Sequence, residues 1–334
     1  MEIVVDIYGG DNAPKEILKG AIAALQSQNG FDLTLFGNEN EITTLLKEYT
    51  YDSSRVKIIN APEIVTNDDV PTEAIRKKAN SSLFAGIQYM NENKNAVAFI
   101  SAGSTGAVLT GAVLLLKRIR GINRPALCPV LPTITEKSVL LMDCGANVEC
   151  KPLNLVQFAQ MASAYSKCIN GDDYIPKIGL LSNGTEEKKG NTLNKEVYPL
   201  LKDKGSFIGN IEGRDILSGI CDVVVCDGYS GNIALKSCEG TALSMFSMIK
   251  SGIMGGGMRA KIGYLLLKPV FKKIKMKMDY NKNGGAVLLG LEKIVIKSHG
   301  SSKSESIKNS ILQAYDLEYK KIIDKIKYEL GTNS

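Results

Sequence analysis

The residues best suited to chemistry in this chain gather in four short, glycine-bearing turns. The densest runs from Asn183 to Asn191, where Thr185, Lys189 and Asn191 place a hydroxyl, an ammonium and an amide beside Gly184 and Gly190. A lysine among amide donors suits a phosphate or a developing oxyanion. The turn from Asp227 to Asn232 adds a carboxylate, two glycines and the Asn232 amide. Ser101 to Gly106 carries the hydroxyls of Ser104 and Thr105, and Gly9-Gly10-Asp11-Asn12 completes the set. Each turn taken singly also fits an ordinary helix cap or a solvated loop. Four of them in similar places make one anion-handling site the stronger reading. His299, the single histidine, stands before Gly300-Ser301-Ser302 and could supply a proton or a hydrogen bond.

Each turn follows a short apolar run: 3–6, 97–100, 178–181 and 223–226. Unbroken runs of this length read as parallel strands buried on both faces. Ligands of open α/β sheets bind just beyond the carboxyl ends of such strands, where glycines let backbone approach and helix starts offer N–H donors. Strands are expected at 2–6, 32–36, 56–59, 96–100, 138–142, 177–181 and 222–226. Helices are expected over 11–26 with Asn12 as N-cap, 104–120, 154–167, from 229 or 230 towards 250, and over 304–330 with one break. The alternation predicts a three-layer α/β fold with a mainly parallel, Rossmann-like sheet. The chain, 1–334, reads as one α/β catalytic unit, with a division into two lobes left open near Pro125, Pro129 and Pro132.

Composition narrows the function. With 44% hydrophobic and 23% charged residues the chain buries a real core. It has no apolar run of about 18 residues, as a membrane-spanning helix would need. A strand starting at Glu2 leaves no room for a signal peptide. The seven cysteines include no CxxC pair and read as reduced core thiols of a cytoplasmic protein. No ligand set at metal spacing is present, so neither metal nor cofactor is expected. The GxGxxG fingerprint of nicotinamide enzymes is missing after the first strand.

The net charge of +6 is concentrated in one place. Gly240 to Met278 holds eight basic residues and no acid, which exceeds the total and leaves the remainder slightly acidic. Within the segment 250–280, Met258, Ile262, Leu265 and Leu266 recur at helical spacing among Arg259, Lys261 and Lys268. Pro269 is expected to end or bend that helix, and Gly255-Gly256-Gly257 to make the segment mobile. Basic and apolar together suit an anionic bilayer surface or an acidic protein, with a dimer interface as the ordinary alternative. Few aromatics interleave the lysines, so nucleic acid is not an expected partner.

In order, these blocks resemble PlsX, the bacterial phosphate acyltransferases of phospholipid synthesis. The matching segments are 9–14, 101–107, 124–126, 143–152, 184–187 with 189–191, 207–215, 227–239, 284–286 and 299–302. Tyr8 and Ser104 depart from the methionine and asparagine usual there. The resemblance implies transfer of a fatty acyl group from the thioester of acyl carrier protein to inorganic phosphate. It also implies a fold like phosphotransacetylase and isopropylmalate dehydrogenase, a homodimer, and a cytoplasmic enzyme held peripherally at the inner face of the membrane, with a downstream acyltransferase as a candidate partner. Phosphate is itself a nucleophile and a thiol of pKa about 8.5 leaves readily, so positioning and oxyanion stabilisation remain for the protein. Lys189, Asn191 and Asn232 are the expected catalytic residues. Gly10, Asp11, Ser104, Thr105, Thr185, Asp227 and His299 are expected to contact substrate, with Asp227 orienting neighbours rather than acting as a base. Two rivals are a phosphotransacetylase acting on acyl coenzyme A and a non-catalytic membrane scaffold.

Overall fold

The computed structural model describes residues 1–203, 205–278 and 284–332. It begins with β1 (Glu2–Asp6), α1 (Lys15–Ser27), β2 (Asp32–Gly37), α2 (Glu39–Leu46), β3 (Val56–Asn60), α3 (Pro71–Lys77), α4 (Ser82–Glu92), β4 (Ala96–Ser101) and α5 (Thr105–Leu115). The chain continues through β5 (Ala126–Cys128), β6 (Val130–Pro132), β7 (Ser138–Met142), α6 (Pro152–Asn170), β8 (Ile178–Leu181), α7 (Thr192–Lys202), β9 (Phe207–Ile211) and β10 (Val223–Val225). It ends with α8 (Gly228–Gly255), α9 (Gly257–Met278), β11 (Ala286–Leu289), β12 (Ile294–Lys297), α10 (Ser304–Tyr319) and α11 (Ile322–Glu329).

All seven strands expected from the sequence form, but they fall into two sheets. The first has the order β3-β2-β1-β4-β12-β11-β5 and the second β6-β7-β10-β8-β9. Pairing is parallel except along β12-β11-β5 and between β6 and β7. The chain passes from one sheet to the other at Pro129, between β5 and β6. Along β1, Ile3 and Val5 join a core shared with α1 and α10, whereas Val4 joins one shared with α4 and α5. Burial on both faces is why the strand is an unbroken apolar run, and helix, sheet and helix make the three layers. The first core continues through α6 into the second sheet, joining Phe158 to Leu140 and Val223.

Three helix boundaries differ clearly from expectation. The first helix begins at Lys15 after Pro14, not at Asn12, whose side-chain N–H groups donate to the carbonyls of Ser301 and Ser302. The helix expected over 104–120 stops at Leu115, since the chain then joins a ladder: Ile119 N–H donates to Gly290 and Glu292 N–H to Lys117. α9 runs through Pro269 rather than ending there. The C-terminal helix does break once, at Lys321, whose φ is +54°. The last two residues of the 250–280 segment, and the side chains of Lys275 and Lys277, lie outside the described set.

Candidate active site

A cleft of about 120 Å³ opens where the carboxyl ends of strands from both sheets face each other. Thr105 reaches it from the turn after β4, Cys144 from that after β7, Asn232 and Lys236 from α8 after β10, and Lys297 and His299 from the end of β12. Leu127, Pro129 and Val130 line it at the crossing between the sheets, and Gly284, Gly285 and Ala286 at the entry to β11.

Buried carboxylates set the turns around this cleft. Asp6, at the end of β1, accepts from Ser82 Oγ at 2.5 Å and Ser101 Oγ at 2.6 Å, tying the β1 and β4 turns together. Burial pushes its pKa up, against the pull of those hydrogen bonds. Gly10 has φ +95°, and a Cβ there would stand 2.7 Å from the Gly300 carbonyl. The neighbouring Asp11 N–H donates to that same carbonyl at 2.8 Å, which seats the β1 turn on the β12 turn. Asp143 plays the corresponding part in the second sheet. It accepts from Leu127 N (2.9 Å), Ala146 N (3.2 Å), Asn147 N (2.7 Å) and Asn147 Nδ2 (2.9 Å), bridging β5 to the turn after β7. The start of α8 lies directly on this turn: a Cβ on Gly231 would collide with the Asp143 carbonyl, so only glycine fits.

Asp227 caps α8, accepting from Ser230 N at 2.8 Å and Ser230 Oγ at 2.9 Å. Asn232 follows in the first turns of that helix and faces the cleft. Lys236 stands one turn further on, its Nζ 2.8 Å from Glu239 Oε2. His299 Nδ1 is hydrogen-bonded to Ser301, 2.8 Å from its Oγ and 3.2 Å from its N–H. Burial and then Lys236 hold its pKa below 6.5, so it is a neutral donor near pH 7. Cys144 is the one thiol lining the cleft; burial pushes its pKa well above that of an ordinary cysteine, which removes it as a nucleophile. Among the described residues no cluster of metal-ligating side chains occurs.

Of the residues expected from sequence, Thr105, Asn232 and His299 line the cleft. Gly10 and Asp11 press on the His299 turn, and Ser104 holds the N-cap position of α5. Lys189, Asn191 and Thr185 are exposed on the β8–α7 loop and are not among the residues lining the cleft. Their loop is held by Asn183, whose Oδ1 accepts from Gly190 N–H at 2.9 Å, and by Asn191, which caps α7. β8 pairs with β10, Leu180 opposite Val225, so this loop leaves the sheet beside the entry to α8. Lys236, Glu239 and Lys297 line the cleft without having been anticipated. Lys236 was within reach, since it lies four positions after Asn232 on an expected helix.

Comparison with known proteins agrees with this layout. The sequence model of a family described as "Fatty acid synthesis protein" matches residues 1–325. The chain is 47% identical over 328 residues to a phosphate acyltransferase of Clostridium novyi, covering 98% of each chain. It is 43% identical over 332 residues to a phosphate acyltransferase of Bacillus subtilis, covering 99% of this chain and 98% of the other. In structure it resembles a phosphotransacetylase from Streptococcus pyogenes, with TM-score 0.63, 19% identity and coverage of 97% and 94%. A branched-chain phosphotransacylase from Enterococcus faecalis superposes with TM-score 0.58, 15% identity and coverage of 95% and 98%. At those identities the structural likeness speaks for the fold, which is the three-layer α/β arrangement expected from sequence. Identity of this extent over nearly the whole length places the chain in the phosphate acyltransferase family, PlsX, and makes it an acyltransferase.

Proposed function

We propose that the chain moves a fatty acyl group from the thioester of acyl carrier protein to inorganic phosphate, releasing acyl phosphate and the free carrier thiol. The observation that carries this is the cleft between the two sheets, lined by cations and amide, hydroxyl and imidazole donors, whose one thiol is held protonated. Such a site binds anions and stabilises charge; it leaves the attack to the substrate phosphate. A phosphate oxygen adds to the thioester carbonyl carbon, the tetrahedral oxyanion takes hydrogen bonds, and collapse breaks the carbon–sulfur bond. The thiolate leaves with little acid help and takes up a proton afterwards. Asn232, in the cleft, donates to the oxyanion or to phosphate. Lys189 and Asn191 act from the neighbouring loop.

The long exposed helices suit a large donor and a surface. Met258 and Leu266 are each 75% exposed, and Ile262 and Leu265 project beside them among basic residues. Among the described residues no helix is long and apolar enough to cross a membrane. In this reading the enzyme is cytoplasmic and lies peripherally on an anionic bilayer, with α8 and α9 also offering a surface for a second copy in a homodimer, for acidic acyl carrier protein and for a downstream acyltransferase. The test is incubation with phosphate and either palmitoyl-acyl carrier protein or palmitoyl-coenzyme A. Acyl phosphate formed faster from the carrier-protein thioester supports the proposal; preference for the coenzyme A thioester favours a phosphotransacetylase instead.

A further inference from the structure

Lys297 is a buried cation whose charge no residue of the described chain neutralises by contact. Only 8% of it is exposed, yet it lines the cleft. Its ammonium donates to the carbonyls of Ser298 and, at 3.4 Å, Ala102, and it forms no ion pair among the described residues. An ammonium has three donors, so one N–H remains. Asp6 acts on it through the field, but that carboxylate is itself engaged by Ser82 and Ser101. A buried charge without a counter-ion is expensive and persists at sites that supply the counter-ion from a ligand.

A second set of donors opens on the same space. Thr105 begins α5 and lines the cleft, while Ser104 at the N-cap makes no side-chain cap bond. The first bond of the helix runs from Val108 N–H to Ser104 O, so the N–H groups of Thr105, Gly106 and Ala107 precede it. Uncapped N–H groups at the positive end of a helix dipole favour an anion. We propose that Lys297 and the uncapped first turn of α5 together form the seat of inorganic phosphate, with Lys297 as its buried counter-charge. Lys189 is then left for the oxyanion of the acyl group. This assignment rests on the reading of the chain as a phosphorolytic acyltransferase.

The charges facing Lys297 are Asp6 from β1, Asp11 from the turn after it and Lys236 from α8; His299 from the turn after β12 and Glu239 of α8, which is paired with Lys236, line the same cleft. Its neighbours Ala286 on β11 and Ser298, the latter bonded to Ser310 of α10, are uncharged. Burial outweighs the two carboxylates and brings the ammonium down to about 8. Phosphate affinity therefore holds below that pH and falls as pH rises through it.

The experiment measures binding of orthophosphate to the full chain by calorimetry, beside steady-state phosphorolysis, for wild type, Lys297→Met and Lys297→Arg. Lys297→Met is expected to weaken phosphate binding and raise its KM by about 10- to 100-fold, with the thioester KM unchanged. Lys297→Arg, which keeps the charge, is expected to recover much of that loss. Wild-type affinity is expected to fall between about pH 7 and about pH 9. If Lys297→Met does not fold, the wild-type pH series decides. Phosphate binding unchanged in a folded Lys297→Met chain, or flat across that pH range in wild type, overturns the assignment. Wild type that binds phosphate through Lys297 but forms no acyl phosphate from either thioester keeps the site and overturns the acyltransferase reading instead.

Discussion

α6 and the α8–α9 pair are all helices rich in apolar residues, and they meet opposite fates. α6 buries twelve of its 19 residues between the two sheets, among them Phe158 and Tyr165. α8 buries only Gly228 and Gly231 of its 28, both in the first turn where it meets the Asp143 turn. Beyond that point Leu243 and Met248 are more than two-thirds exposed, and α9 continues in the same way. Apolar spacing thus identifies a helix but does not name what covers it. Where the body supplies no cover, contiguous exposed apolar surface marks an interaction site. In the proposed reading the body and the first turns of α8 hold the chemistry, and the projecting remainder of α8 with α9 meets the partners.

Substitutions in the two regions should separate those roles. The largest effect is expected at the β8–α7 loop: Lys189→Ala should lower turnover by about 100- to 1,000-fold with an unchanged circular dichroism spectrum. Near-normal turnover would remove Lys189 from the mechanism. In the body, Phe158→Ala should lower stability by about 3–5 kcal/mol in urea unfolding, because it empties a fully buried site. In the projecting helices, the Leu265→Glu, Leu266→Glu double variant should leave stability within about 0.5 kcal/mol, since both residues face solvent. The same variant should lose flotation with anionic liposomes; undiminished flotation would count against insertion by this face.

The smallest effect concerns His299. Its pKa lies below 6.5 in the folded chain, so the unfolded state binds more protons as pH drops through that value. The native state is therefore favoured at neutral pH and loses this contribution on acidification. His299→Gln should unfold with a flatter dependence on pH than wild type between about pH 7 and about pH 5. Identical slopes would place the imidazole in an environment unlike the one described.

Much of the fold was legible because it depends on local pattern. Strands buried on both faces, such as β1 and β4, are unbroken apolar runs, and the turns after them carry their glycines and caps in sequence. The strands that escaped notice each lack that pattern. β5 and β6 are three residues apiece on either side of Pro129, and β9 contains Gly209 at φ +102°. β11 and β12 are four residues each, divided by Gly290. The cleft was legible where its residues sit in turns, as Thr105, Asn232 and His299 do. Lys297 was not, because its burial depends on β12 pairing with β4 on one side and β11 on the other, across nearly 200 positions of sequence. The division of the strands between two sheets has no local signature beyond the prolines around 129, and the return through α8 and α9 to β11 has none.

The central claim is that phosphate itself attacks the thioester in a cleft needing no protein nucleophile. It is tested most directly by running the reaction with palmitoyl-acyl carrier protein and phosphate labelled with oxygen-18 at every position, then weighing the acyl phosphate. Carrier thiol released only in the presence of phosphate, with every labelled oxygen retained in the product, is the predicted result. Thiol release that proceeds without phosphate, or acyl phosphate that has lost a labelled oxygen, would contradict it.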